Sequence, residues 1–302
     1  MNKLFNTKWV VVSLVLVSAL SIFTGCGQQE AVADEAPAET TAETPAEATS
    51  GLEGTVAVVG STSVTPVAQK LAEAFTGMET AVQIDVQGVG STAGVKSAND
   101  GSANIGMASR NLKEGEKEWG LTEHVIAYDG IAVVVHPSNN LAELTTEKVT
   151  QIFKAEITNW NELGGPDKEI IVVSREAGSG TRGAFEGIMK LQEKNADGKK
   201  ISVVTKDALI ADGNGAVKAN VASKEFAIGY VSLSYLDESV KGLLIDGAEP
   251  TVDAILEEEY KVSRPFLMLT KGDVSEEAQA YLDFIFSTEG QEIVAEKLIP
   301  VQ

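Results

Sequence analysis

From residue 55 onward, strand-length apolar runs alternate with stretches whose apolar positions recur at helical spacing. TVAVVG (55–60) precedes a segment in which Val64, Val67, Ala68, Leu71 and Phe75 share one helical face. AVQIDVQG (81–88) leads into a short helix predicted after Ser91. Further strands are predicted at ANIGMASR (103–110), IAVVVHP (131–137), EIIVVSR (169–175), ISVVTK (201–206) and FAIGYVSL (226–233). Such alternation predicts an α/β fold with mostly parallel pairing, in which ligands sit beyond the carboxyl ends of the strands.

Three strand-to-helix turns carry the candidate chemistry: GSTSV (60–64), GVGSTAG (88–94) and REAGSGTR (175–182). A Gly–Ser–Thr turn that opens a helix offers unpaired backbone N–H groups, hydroxyl donors and the positive end of the helix dipole. One such turn is usually an N-cap. Three in one chain, the last with Arg175, point to a tetrahedral oxyanion held by several helix ends. Between the second and third turns, the strand at 131–136 and HPSNN after it read as an exit from one lobe, with a return near Ser232–Asp237. The expected organisation is a lobe built from 54–133 plus 235–302, a second lobe over 134–234, and a cleft between them.

The N-terminal region changes the compartment. Lys3 and Lys8 precede an apolar run from Trp9 to Phe23, too short for a comfortable membrane span, so residues 1–25 read as a signal peptide. The only cysteine, Cys26, lies in Thr24-Gly25-Cys26-Gly27 and can form no internal disulfide. This pattern resembles a bacterial lipobox, with Phe23 where Leu is usual, and implies cleavage before Cys26 and a diacylglycerol thioether on its sulfur. Residues 27–53 are rich in Ala, Glu, Thr and Pro and lack Lys, Arg and aromatic residues, which predicts a disordered acidic tether. The net charge of the chain is −20; the leader adds two positive charges and the tether seven negative ones, leaving −15 on the body. That acidity argues against nucleic acid and against a basic membrane-binding patch, and it leaves anion binding to local dipoles and directed hydrogen bonds.

Over roughly residues 54–300 the sequence resembles the phosphate-binding proteins of the bacterial high-affinity phosphate ABC importer, the PstS family. The stretches that carry the resemblance are IFKAEITNWNELGG (152–165), SREAGSGTRGAF (174–185) and AIGYVSL (227–233). It implies a two-lobed type II periplasmic-binding fold with two hinge crossings. The implied function is capture of inorganic phosphate and delivery to a permease, with an ATPase and two transmembrane proteins as partners. Carried over residue by residue, Thr62 and Ser63, with Ser61 beside them, match the first phosphate-contacting turn. Ser91 matches the second, and Arg175, Ser179, Gly180 and Thr181 the third. No cofactor or metal is implied, and a monomer is expected, lipid-anchored on the outer face of the cell membrane of a Gram-positive bacterium.

Two departures from the family pattern bear on selectivity. Better known members have an Asp in the segment that here reads Ala108-Ser109-Arg110, where a carboxylate accepts the ligand's proton and so rejects sulfate. Asp129 is the first candidate to replace that acceptor and Glu176 the second; alternatively, Asp129 pairs with Arg110. Many relatives also have an Asp at the position of Ala177 that steadies the binding arginine, and Glu176 cannot be assumed to substitute for it.

Other features have plainer readings. His124 and His136 sit in no ligand-spaced motif, and Trp119 and Trp160 read as packing residues. Asn214 reads as a helix cap that could also approach the cleft, and Arg182 as an anion contact or a solvent-facing residue. LEEEY (256–260) reads as a solvated helix face. An enzyme is not expected: G-x-S-x-G is absent, GVGSTAG has Ala93 where a dinucleotide fingerprint needs its third glycine, and no phosphate loop with Gly-Lys-Ser/Thr occurs. Two readings stay beside phosphate transport: a binder of sulfate, molybdate or tungstate, and a surface or sensory lipoprotein that does not transport.

Overall fold

The computed structural model describes residues 51–301; the expected signal peptide, Cys26 and nearly all of the expected tether lie outside the described residues. The first apolar run forms β1 (Gly54–Gly60), with Val56 and Val58 buried. Helix α1 (Thr65–Met78) follows, started by Pro66 and burying Val67, Ala68, Leu71 and Phe75 on the expected face. Val67, Leu71 and Phe75 each contribute about 1.5–3 kcal/mol by leaving water, so the face fixes α1 on the sheet. Next come β2 (Val82–Gly88), α2 (Ser91–Asp100), β3 (Ile105–Ala108) and the long strand β4 (Thr122–Val135). Further along are β5 (Ile171–Arg175), α3 (Gly180–Ile188), β6 (Leu209–Ala211), α4 (Gly213–Ser223), β7 (Ala227–Ser232) and β8 (Ser263–Thr270).

These strands pair in the order β2-β1-β3-β8-β4-β7-β5-β6. Pairing is parallel at both ends of the order and antiparallel wherever β4 or β8 takes part. The expectation of mostly parallel strands therefore holds only away from the middle, where the chain crosses on β4 and returns on β8 in the opposite direction. The amino-terminal part of β4 pairs with β8 up to Gly130, and Ile131–Val135 pairs with β7. Two large cores flank this junction. One contains Val58, Leu71, Phe75, Met107, Phe266 and Tyr281; the other contains Ile131, Val133, Phe153, Trp160, Phe185 and Tyr230. Leu243, Ile245, Tyr260 and Val262 pack in the second core, and Phe266 and Met268 in the first.

Three elements differ from the sequence expectation. Strand β4 begins at Thr122, well before 131; its first residues are polar and exposed because only its continuation is covered on both faces. SRPFLMLT, not among the predicted strands, forms β8 at the centre of the sheet. Of ISVVTK only Ile201 and Ser202 are in a strand, Lys200–Ser202, which pairs with Gln192–Lys194 in a separate hairpin. The place beside β5 is taken by β6 instead.

Candidate functional site

The three Ser/Thr–Gly turns meet. Ser61–Val64 links β1 to α1, Val89–Gly90 links β2 to α2, and Glu176–Ser179 links β5 to α3. Ser61 Oγ donates to Ser109 Oγ (2.8 Å), and Ser109 N–H donates to Ser91 Oγ (3.1 Å). Ser63 Oγ and Thr181 Oγ1 share a hydrogen bond of 2.9 Å across 118 residues of sequence. Ser179 caps α3 by accepting from Arg182 N–H (3.1 Å). Among the described residues, the backbone N–H groups of Ser91, Gly180 and Thr181 meet no acceptor, as expected in a first helical turn. Ser61, Ser63, Ser91, Ser109, Ser179 and Thr181 are all buried, and Thr62 is half-buried.

Two glycines permit this convergence. A Cβ on Gly94 would lie 2.5 Å from Met107 O and 2.6 Å from Gly60 Cα, so α2 rests directly on β1 and β3 and carries Ser91 to the strand ends. A Cβ on Gly180 would lie 2.1 Å from Ser91 Oγ and 2.6 Å from Ser109 Oγ. The amino terminus of α3 thus touches the hydroxyls of the second turn.

Arg175, the last residue of β5, is 1% exposed at its side chain. Its Nη2 donates to Thr62 Oγ1 (3.2 Å) and its Nη1 to Thr181 Oγ1 (3.4 Å). Glu176 holds it in a fork, accepting from Nε and from Nη2 at 2.8 Å each. Glu176 therefore does steady the arginine although residue 177 is Ala. Tyr230, stacked on Phe185 at 3.9 Å, accepts from Arg175 N–H through its Oη (3.3 Å). Burial pushes the Tyr230 phenol up to about 12, so it remains a protonated anchor.

A second guanidinium, from Arg264 on β8, was not among the sequence candidates. It is 3% exposed and sits in register opposite Asp129 on β4. Its Nη2 donates to Asp129 Oδ2 (2.9 Å) and to Ser63 Oγ (3.1 Å), and its Nη1 donates to Ser109 Oγ (3.2 Å). Ser232 Oγ donates to Asp129 Oδ1 (2.9 Å). Burial pushes the Asp129 carboxyl up, against the pull of Arg264 and Ser232. The alternative pairing of Asp129 with Arg110 is not found: Arg110 donates to both oxygens of Glu116 (2.7 and 2.9 Å) and belongs to a separate pair. Burial opposes the Glu116 charge, but hydrogen bonds from Arg110 and Lys113 N–H hold its carboxyl below the ordinary value. Asn214, read mainly as a cap, donates through Nδ2 to Ser63 Oγ (2.8 Å) and so belongs to the cluster.

The result is a buried ring of hydroxyls at the amino ends of α1, α2 and α3, with one guanidinium on each side. Both arginines are neutralised in place by a carboxylate, so what the ring can offer an anion is directed donors and helix ends more than net charge. Every buried side-chain polar atom among the described residues has a partner. A ligand must therefore exchange hydroxyl–hydroxyl bonds for its own. Among the described residues no group of three or more His, Cys, Asp or Glu could hold a metal ion, and no helix is long and apolar enough to cross a membrane. His124 shares a hydrogen bond with Thr270 and His136 one with Ser138, both outside the ring.

Residues 39–289 match a family model described as a PBP superfamily domain. The chain is similar to the phosphate-binding protein PstS of Bacillus subtilis (strain 168), 29% identical over 94% of this chain and 91% of the relative. It is also similar to a solved Clostridium perfringens protein, described as a phosphate ABC transporter substrate-binding protein with bound phosphate. That likeness has 46% identity and a TM-score of 0.78, over 82% of this chain and 100% of the other. An ABC-type phosphate transport receptor from Vibrio cholerae is 37% identical over the same shares, with a TM-score of 0.69.

Proposed function

We propose, because the chain belongs to the PstS family of phosphate-binding proteins within the PBP superfamily, that it captures inorganic phosphate in the hydroxyl–guanidinium ring and delivers it to an ABC permease. The observation that carries this reading is the meeting of donors from both cores at one buried point. Ser63 of the first turn reaches Thr181 of the third, and Arg175 reaches Thr62. We read the lobes as residues 54–130 plus 263–300 and residues 131–262, with the return crossing at Val262–Ser263 instead of near 235, because 243–262 packs in the second core.

The ligand contacts in this reading are the hydroxyls of Thr62, Ser63, Ser91 and Thr181, the N–H groups of Ser91, Gly180 and Thr181, and the guanidinium of Arg175. Ser61 and Ser179 support them, and Ser109, Asn214 and Arg264 join them. Phosphate favours the closed arrangement because only there do both sets of donors grip its oxygens. The permease, with its ATPase and two transmembrane proteins, reopens the lobes and takes the ligand. No covalent step is assigned to the chain. The signal peptide and Cys26 support an extracytoplasmic lipoprotein tethered by residues 27–53, which suits a single-membrane cell.

Selectivity rests on what accepts the ligand's proton. Asp129 lies behind Arg264, and Glu176 has both oxygens on Arg175, so neither presents a free carboxylate to the ring. A serine or threonine hydroxyl, which accepts as well as donates, is the acceptor left. Such a site rejects sulfate less sharply than one with a carboxylate facing the ligand, and this observation keeps sulfate as the second reading. Calorimetric titration of the ligand-stripped protein at neutral pH, with phosphate, sulfate and molybdate in parallel, tests both. Tight one-to-one phosphate binding supports the proposal; binding of only sulfate or molybdate supports the second reading, and silence toward all three refutes both.

A further inference from the structure

Beside the ring lies a groove of about 1090 Å³ that anion binding by itself does not explain. One wall is the segment from Arg110 to Gly115, which ends in a short helix; the other is α3 with the hairpin of Gln192–Lys194 and Lys200–Ser202. Ser179 and Arg264 line it as well, so the groove and the ring share a wall.

The charge of this groove is opposite to that of the molecule. Its three arginines are each tied to a carboxylate: Arg110 to Glu116, Arg182 to Glu186, and Arg264 to Asp129. Lys113, Lys194, Lys199 and Lys200 remain, with Glu114 as the opposing carboxylate in the lining. None of these lysines takes part in a salt bridge among the described residues, and all four are exposed. The lining thus keeps a local excess of three positive charges on a body of −15. A field of −15 repels a dianion, whereas a cleft lined by one sign of charge raises the local concentration of its counter-ion and speeds association.

We propose that this groove is the approach path of the ligand, a cationic vestibule that draws the phosphate dianion toward the ring against the repulsion of the rest of the molecule. The inference rests on the function proposed above. It assigns Lys113, Lys194, Lys199 and Lys200 to the rate of capture and gives them no part in the grip on the bound ligand.

The test is stopped-flow association of inorganic phosphate with the full-length protein between about 0.01 M and about 1 M salt, across which the Debye length falls from about 30 Å to about 3 Å. The variant carries Lys194→Gln, Lys199→Gln and Lys200→Gln, all exposed positions outside the ring. A control carries Lys70→Gln, Lys271→Gln and Lys297→Gln, which remove the same charge outside the groove. The wild-type association rate is expected to fall as salt rises. In the groove variant it should be about 10-fold lower at low salt, the lower end of what electrostatic steering supplies, and should rise with salt as global repulsion takes over. Dissociation rates should be equal, and the control should follow the wild type. An unchanged rate in the groove variant, or an equal loss in the control, overturns the vestibule while phosphate binding stands. Failure of every protein to bind phosphate overturns the function and the vestibule together.

Discussion

The contact between α3 and the second turn gives a sharp test of the ring. In Gly180→Ala the new methyl would sit 2.1 Å from Ser91 Oγ and 2.6 Å from Ser109 Oγ. Both hydroxyls are buried and held by other bonds, so they cannot swing aside without losing partners. Overpacking of this kind costs about 1–3 kcal/mol. Gly180 and the two serines lie in different lobes of the proposed division, so the cost falls on the closed, ligand-holding state and spares the open one. At about 1.4 kcal/mol per decade, phosphate affinity should drop about 5- to 150-fold while the melting temperature without ligand stays near wild type. Gly187→Ala is the matched control: it lies in the same helix with nothing within 4 Å of an added Cβ. It should leave affinity unchanged and stabilise the helix by up to about 1 kcal/mol. Calorimetric titration beside thermal unfolding reads both quantities. Wild-type affinity in Gly180→Ala would show that the liganded protein does not bring α3 against Ser91, and the ring would have to be abandoned.

Other expectations follow from the charged groups. Arg264→Met leaves Asp129 buried without its partner and should cost about 3–5 kcal/mol in urea unfolding; adding Asp129→Asn should recover most of that, and additive losses would disprove the coupling. Arg175→Lys replaces a fork by a point charge, so affinity should fall while Glu176 loses its paired geometry, and calorimetry reads the loss. Glu116 has a folded pKa below its ordinary 4.5, so its stabilisation is present above about 4.5 and disappears as pH falls through the lower folded value. Glu116→Gln should flatten stability against pH in that acidic window, and an unaltered slope would contradict the assignment.

The strands and turns that could be read from the sequence were those whose signals are local. β1, β2, β5 and β7 are short β-branched runs, and the three helix-opening turns repeat one chemistry. Arg264 was hidden because its role comes from register: it faces Asp129, 135 residues away, on a strand whose other residues are mostly apolar. Arg110 was misleading for the opposite reason. Its charge stands in a family site position, but Glu116, six residues on, captures the side chain. Asn214 opens a helix, which is the ordinary place for a cap, and nothing nearby announces its bond to Ser63. ISVVTK has the composition of a sheet strand, yet the chain folds back on Gln192–Lys194 before it can reach β5.

Strand β4 runs without a break from one core to the other, and Asp129 pairs with Arg264 where its partner changes from β8 to β7. At this change of partner the hydrogen-bond ladder of β4 passes from one neighbour to the other, so the junction is tied by side chains as well as by backbone. In the lobe division proposed above, the ion pair sits at the crossing itself, whereas Arg175 belongs to the second lobe. The two guanidinium groups of the ring are thus anchored differently, Arg264 by a carboxylate across the strand junction and Arg175 by the carboxylate next to it in its own turn.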